Sequence, residues 1–423
     1  MKDGHAEQSS ADLLLGPYRV LDLTDERGLL CGRILGDLGA DVWQVEPPGG
    51  SSARRQGPFH RDQASPERSL FWWAYAQNKR GITLDLETSA GQELLRRLVG
   101  GAHFLIESSD SGYLARLGLG YDDLRAISPA LVMVSITAFG QDGPYVRYKD
   151  GELVGMSLGG MVYLNGDPDL PPVQIGVPQF YQHGSAAAAA GAMIAHHARQ
   201  ATGEGQHVDV SCQQAVVRSI GNAPASWDLE KAIFKRMGPY RAMSATTFMR
   251  TTWQCKDGFV NFQLSGGRAA LPSIHALVAW MEESGMGDPA IHQVDWASLR
   301  YGNLTKEMMA VVEPPIQRFL LTRTKDELTR GALERRIFLF PVNSARDILE
   351  TDHLHARNYF QQVEHPELGQ SVTYPGGFVM TDRGRLAIRR RAPAIGEHNV
   401  EIYCGELGLT HAELAALKDA HVI

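Results

Sequence analysis

Cysteine is scarce. Cys31, Cys212, Cys255 and Cys404 are the 4 in 423 residues, and they stand far apart. No two form C-x-x-C, so free thiols in a reducing cytoplasm are expected rather than a disulfide framework, a thiol redox motif or a cysteine zinc site. Long apolar runs are missing as well. The most apolar span, residues 185–195, is short and alanine-rich, which excludes a membrane helix. The opening MKDGHAEQSS has no apolar h-region, so no signal peptide is expected. Charge of one sign is modest: the formal net charge is −7, and no basic run exceeds Arg389-Arg390-Arg391. A nucleic-acid footprint is therefore not expected. No G-x-G-x-x-G follows the first strand-like segment, because Gly28 leads into Leu29-Leu30-Cys31-Gly32. That absence argues against NAD. There is no P-loop, and no His/Cys cluster spaced for a metal. His196 and His197 are neighbours, which point in different directions on a helix.

What is present suits a protein of two domains. Apolar residues make up 43% of the chain, enough for substantial cores. Residues 18–24, YRVLDLT, have strand character, and 29–38 carry apolar residues at helical spacing up to Gly39. Further strands are expected over 41–45, 82–86, 104–107 and 131–137, with an amphipathic helix over 90–99. Strands alternating with helices imply a parallel sheet of βαβ units, Rossmann-like and open, with ligands beyond the carboxyl ends of the strands. After about Ala223 the pattern changes. A hairpin is expected over 248–262, turning at Lys256-Asp257-Gly258, then helices over 269–283 and 304–321. Residues 347–358 have helical character, 372–386 are expected to be extended, and 411–420 form a final helix capped by Thr410.

One ordered set of segments carries more. It comprises VLDLTDERG, LGADVWQVEPPGG, NKRGITLDL, ESSDSGYLARLGLGYDDL, VSITAFGQDGPY, ATGEGQHVDVS, KDGFVNF and RAPAIGEHN. In this order and spacing the chain, from about Gly16 to Ile423, resembles the family III CoA-transferases (CaiB/BaiF). The resemblance implies a large Rossmann-like α/β domain built from both chain ends, with a smaller α+β domain inserted. The expected boundaries are 1–223, 224–335, and 336–423 as linker and return to the large domain. It also implies an interlocked dimer, with coenzyme A moved from an acyl-CoA to a free carboxylic acid; related branches racemise or isomerise acyl-CoA thioesters.

The family's site residues carry over position by position. Arg116, after the turn Ser108-Ser109-Asp110-Ser111-Gly112, matches the CoA-binding arginine, and Lys149 matches the lysine upstream of Gly159-Gly160. Asn78, Lys79 and Arg80 also match the CoA-binding pattern. Cations at such positions suit the CoA phosphates; surface cations are the plain alternative. Ser265-Gly266-Gly267 resembles the glycine loop over the reaction centre, which places Gly266 and Gly267 in the substrate pocket; an ordinary turn is the alternative. Glu152, in KDGELVGMSLGG, falls on the active-site glutamate, with Asp150 behind it.

The reactive position differs. The family's aspartate attacks the thioester to give a mixed anhydride, then takes coenzyme A as an enzyme thioester. Only a carboxylate supplies a carbon that accepts both bonds. Alignment from Arg199, Thr202-Gly203 and Gly205 on one side, and Pro171-Pro172 and Pro178 on the other, puts Tyr181 there; a register ending at Gly184 puts Phe180 there. Tyr181 occupies the aspartate's place without being a nucleophile, and with Phe180 it is expected to wall the substrate pocket. A phenol, with an ordinary pKa near 10, forms an aryl ester but never an enzyme thioester. The expectation is an aspartate-lacking subunit, partnered by a homologous aspartate-bearing chain or by itself. The alternatives are a self-sufficient transferase or isomerase using Glu152, and a CoA-binding protein without chemistry. Racemase chemistry is disfavoured, because no histidine lies between Tyr145 and Gln182. His183 has the character of a solvated or capping residue, and Asp25 and Glu26 that of helix caps. Phe71-Trp72-Trp73, Tyr75, Phe180 and Tyr181 hint at a bulky or aromatic acid; packing in the core is the equal alternative. Acyl-CoA is the expected substrate, with no metal and no NAD, in the cytoplasm and away from membranes and nucleic acid.

Overall fold

The computed structural model describes residues 13–242, 248–264, 270–298, 305–382 and 384–423. They group into two compact units. The first comprises Met1–Gly159, Gly176–Ser219 and Asp352–Ile423, and the second comprises Gly160–Ile175 and Ile220–Thr351.

In the first unit, apolar strand segments alternate with helices: β1 (Arg19–Leu23), α1 (Leu29–Asp37), β2 (Asp41–Glu46), β3 (Lys79–Thr83), α2 (Ser89–Val99), β4 (Phe104–Glu107), β5 (Val132–Thr137), α3 (Glu152–Leu158), α4 (Phe180–Thr202) and β6 (His207–Ser211). The six strands form one sheet in the order β3-β2-β1-β4-β5-β6, and all five pairings are parallel. The expected parallel sheet is present, wound in both directions from β1. The order reverses between β1 and β4, where an open parallel sheet leaves a crevice beyond its strand ends. Two loops are tied together at that point: the Asp25 N–H donates to Ser108 Oγ at 3.0 Å, and Ser108 Oγ donates to Asp25 Oδ1 at 2.8 Å.

The third strand lies earlier than its sequence suggests, over Lys79–Thr83 rather than 82–86. Its first two residues are charged yet buried. Lys79 Nζ donates to Asp22 Oδ2 at 2.6 Å, Gln44 Oε1 at 2.9 Å and the Leu29 carbonyl at 3.0 Å. α1 crosses this polar centre closely, since a Cβ on Gly32 would sit 1.8 Å from Asp22 Oδ2. α4 turns an alanine face inward, burying Ala188, Ala189, Ala192 and Ala195. The chain end returns to the same core: Val422 and Ile423 are buried with Leu21, Ile82 and Leu105, and the Val422 carbonyl accepts the Asp85 N–H at 2.8 Å.

The second unit is built on β7 (Thr252–Cys255) and β8 (Gly258–Phe262), joined at Lys256-Asp257, with β9 (Leu339–Val342) on the other edge of β8. Phe248–Arg250 is not part of that hairpin; it pairs with Tyr240–Ala242 instead. α5 (Leu271–Glu283), α6 (Lys306–Leu321) and α7 (Lys325–Arg335) contribute Leu277, Trp280, Phe319 and Leu328 to a core shared with Trp253 and Phe262. Helical residues expected over 347–358 form two short helices, Ala345–Leu349 and Asp352–Ala356. Thr351 Oγ1 donates to the Asp347 carbonyl at 2.7 Å, a local bond that competes with helix continuation. Back in the first unit, the last helix, α8 (His411–Asp419), starts as expected at Thr410, which forms a capping box with Glu413.

Candidate functional site

Beyond the carboxyl end of β1 lies a cavity of about 390 Å³ lined by Asp25, Glu26, Arg27, Phe71, Asp150, Glu152 and Tyr181, with Gln56, Gly57, Gly151, Pro178 and Gln182 completing the wall. Four chain segments meet there: the loop after β1, the stretch between β2 and β3, the entry to α3, and the entry to α4.

Glu152 begins α3, and its carboxylate faces the start of α4. Oε1 accepts the Gln179 N–H at 2.6 Å and the Phe180 N–H at 3.1 Å, and Oε2 accepts the Phe180 N–H at 3.1 Å. Gln179, the residue preceding α4, makes no side-chain cap of its own. The first N–H groups of a helix lack intrahelical partners and carry positive partial charge; here Glu152 takes both roles of cap and counter-charge. A carboxylate so engaged offers little free lone-pair density for attack on a thioester.

Tyr181 lies one residue further along α4. Burial, reinforced by the Asp150 carboxylate, pushes the pKa of its hydroxyl well above the usual phenol value. The phenolate is thereby disfavoured. Asp150 in turn lies 3.9 Å from Arg27 Nη1. Arg27 is committed elsewhere: Nη2 and Nε donate to Asp25 at 2.7 and 3.0 Å, and Nη1 donates to Asp110 at 3.2 Å. Burial opposes its charge, but Asp25, Asp150 and Asp110 outweigh it and hold the guanidinium protonated. Behind Tyr181, a Cβ on Gly184 would meet Cys212 Sγ at 2.2 Å. The Cys212 thiol is pushed up to about 12 by burial and then by Asp150.

Phe180 does not line the cavity. It is fully buried, with its ring against Gly155, where a Cβ would come within 2.3 Å. Trp72 and Trp73 are likewise core: the Trp72 indole N–H donates to the Pro393 carbonyl at 3.0 Å, and that of Trp73 to the Glu67 carbonyl at 3.2 Å. Phe71 and Tyr181 remain as the aromatic wall, and Tyr75 packs on Phe71 with ring centroids 4.7 Å apart. His183 Nδ1 pairs with the Gln179 carbonyl at 2.8 Å. Asp25 and Glu26 do not cap α1, whose preceding residue, Gly28, has no side chain to offer; Asp25 turns back onto Arg27, and Glu26 accepts from Ser52 Oγ at 2.5 Å.

The cations named from the sequence separate into two groups. Arg116 ends the short helix Tyr113–Arg116 and is exposed, its guanidinium 5.9 Å from the Tyr113 ring. Lys149 is exposed immediately before Asp150. Neither has an ion-pair partner among the described residues. Asn78, Lys79 and Arg80 are instead held internally. Asn78 donates to Asp37 at 2.7 Å and accepts from the Arg389 N–H at 2.6 Å. Lys79 belongs to the buried Asp22 centre, and Arg80 pairs with Asp41, Glu401 and Glu406. Gly266 and Gly267 lie outside the described residues. Among the described residues, no group of three or more His, Cys, Asp and Glu could hold a metal ion, and no helix is long and apolar enough to cross a membrane.

Residues 15–399 match the family described as CoA-transferase family III. The chain belongs to CoA-transferase family III. Among its relatives is a protein named succinyl-CoA:(R)-benzylsuccinate CoA-transferase subunit BbsE, from Thauera aromatica. It is 35% identical over 391 residues, covering 92% of this chain and 93% of that one. A succinyl-CoA–D-citramalate CoA-transferase from Chloroflexus aurantiacus is 32% identical over 422 residues, covering 97% and 98%. The crystal structure of a CAIB/BAIF family protein from Brucella suis superimposes with a TM-score of 0.75 at 27% identity, covering 94% of this chain and 98% of that one.

Within this family III chain, the cavity was partly legible in advance. Glu152, Tyr181, Asp150, Asp25 and Glu26 were each singled out from the sequence. The approach of Arg27 to Asp150 was not, because it joins segments more than a hundred residues apart. Gln56 and Gly57 gave no chemical signal at all.

Proposed function

We propose that the chain is an aspartate-lacking subunit of a heteromeric family III transferase, moving CoA between an acyl-CoA and a carboxylic acid together with a homologous aspartate-bearing chain. The observation that carries this reading is the state of position 181. Tyr181 is a phenol in the cavity wall, shifted away from ionisation by burial and by Asp150, and Glu152 is spent on the α4 backbone. Neither suits the double displacement, which needs an unencumbered carboxylate. The word "subunit" in the name of the Thauera protein supports an assembly of related chains. In this reading Arg116 and Lys149 contact the CoA phosphates, being exposed and uncommitted. Asn78, Lys79 and Arg80 support the sheet instead. The partner and this chain form the interlocked dimer, and the partner supplies the nucleophile.

The test compares this chain alone, the homologous partner alone, and the two co-expressed. Turnover of acyl-CoA with a free acid is expected only when an aspartate-bearing chain is present. A verified homodimer of this chain with full transferase activity refutes the reading. Bound coenzyme A with no partner restoring turnover would assign a binding protein without chemistry. Tyr181→Asp supplies the complementary test: after incubation with acyl-CoA, the variant is expected to carry a borohydride-sensitive CoA adduct on residue 181, and the wild-type chain none.

A further inference from the structure

The electrostatics of the cavity bear on the acyl group it accepts. Four carboxylate side chains line it, Asp25, Glu26, Asp150 and Glu152, against one guanidinium, Arg27. An incoming carboxylate would need a cation or free N–H donors. Arg27 has its Nε and Nη2 on Asp25, and its Nη1 between Asp110 and Asp150, so no bidentate face is left for a second acid. The start of α4 is the other natural anion site, but its Gln179 and Phe180 N–H groups are taken by Glu152. Asp150, with a quarter of its side chain exposed, and Glu26 both border the open volume. A free carboxylate there would lose water and meet like charge, with no uncommitted cation among the lining residues to pair with it. The rings of Phe71 and Tyr181 offer apolar contact to an uncharged group instead.

We propose that this cavity selects acyl-CoA thioesters whose acyl group is uncharged, and that Asp150 and Glu26 set the selectivity by repelling a free carboxylate. The inference rests on the CoA-binding part of the reading above, and extends it by naming the acyl class. It also assigns a division of labour, since a dicarboxylic acyl group in a heteromer would have to be handled at the partner's site rather than in this cavity.

The experiment is calorimetry on the purified full chain with three probes: free coenzyme A, succinyl-CoA, and 4-oxopentanoyl-CoA, a near-isosteric thioester ending in a neutral methyl ketone. The neutral thioester is expected to bind roughly tenfold more tightly than succinyl-CoA, the scale of one like-charge contact in a partly wet site. Asp150→Asn is expected to bring the two affinities within roughly threefold by strengthening succinyl-CoA alone. Glu26→Gln, which leaves the Tyr181 contact untouched, should narrow the gap in the same direction. Equal affinities in the wild-type chain, or tighter succinyl-CoA, overturn the proposal while leaving CoA binding intact. Unchanged discrimination in both variants removes Asp150 and Glu26 as its cause and overturns it too. Failure of all three probes to bind refutes the CoA-binding reading itself, and this inference with it.

Discussion

Replacing Glu152 separates a structural carboxylate from a reacting one. In Glu152→Ala, the Gln179 and Phe180 N–H groups at the start of α4 lose their acceptor, and no side chain at Gln179 takes over. Each hydrogen bond to a charged group contributes about 1.5–3 kcal/mol, and an anion at a helix N-terminus adds about 0.3–1 kcal/mol. The site is half-buried, so water recovers part of this, and a net loss of about 2–4 kcal/mol is expected. Glu152→Gln keeps an acceptor oxygen but not the charge, and should lose roughly half as much. The assay is urea unfolding followed by far-ultraviolet circular dichroism, with CoA binding measured on the folded variants. Binding should be retained in both. A loss of stability below about 0.5 kcal/mol in Glu152→Ala, which is the range of a neutral surface substitution, would refute the capping argument. Loss of CoA binding at unchanged stability would return Glu152 to the ligand.

Other substitutions test the remaining parts. Lys79→Met leaves Asp22 unpaired at the buried centre of the sheet, and should cost about 3–5 kcal/mol in urea unfolding; an unperturbed, folded Lys79→Met with weakened CoA binding would make Lys79 a ligand after all. Arg116→Ala and Lys149→Ala remove exposed cations, and each should weaken CoA binding roughly fivefold to tenfold, less so at high salt, with stability unchanged in thermal melts. Cys212, pushed up to about 12 by burial and Asp150, should resist iodoacetamide at pH about 8, while the partly exposed Cys404 is alkylated; mass spectrometry of the digested native protein distinguishes the two. Burial would raise the Glu397 carboxyl, but its hydrogen bonds to Arg391 and the Ala394 N–H hold it below the ordinary range. Its contribution to stability is therefore present above about pH 4.3, the unfolded value, and is lost as pH falls through the folded one; Glu397→Gln should flatten that part of the acid unfolding profile.

The sheet was legible because its strands are short apolar runs punctuated by glycine and by helical periodicity. β1, β2, β4 and β5 appear within a residue or two of where their pattern puts them. β3 was displaced because its first residues, Lys79 and Arg80, look like surface or ligand cations. Only the tertiary fold supplies Asp22, Gln44 and Asp41 to neutralise them. The aromatic wall failed for a related reason. Phe71-Trp72-Trp73 are consecutive, so a short helix sends them to different sides, and only Phe71 reaches the cavity. Glu152 was found by its place in a motif, but a motif does not say whether a carboxylate faces a ligand or a helix end.

The fate of the cavity's anion-binding devices explains why an aromatic residue is tolerated at position 181. A carboxylate nucleophile and an acid substrate both need positive potential to form and hold charge. In this chain, Arg27 is surrounded by Asp25, Asp110 and Asp150, and the α4 N-terminus is capped by Glu152. Were an acid placed at 181 alone, its charge would stand beside Asp150 with the one lining cation, Arg27, already committed, and its pKa would rise. Tyr181 resolves this by staying neutral beside Asp150 instead of adding a second charge. Tyr181 is thus matched to its surroundings, and an acid there should work better in Tyr181→Asp combined with Asp150→Asn than in Tyr181→Asp alone. The comparison is the yield of borohydride-sensitive CoA adduct at equal acyl-CoA. A higher yield from the single variant would mean that Asp150 assists an acid at 181 rather than opposing it.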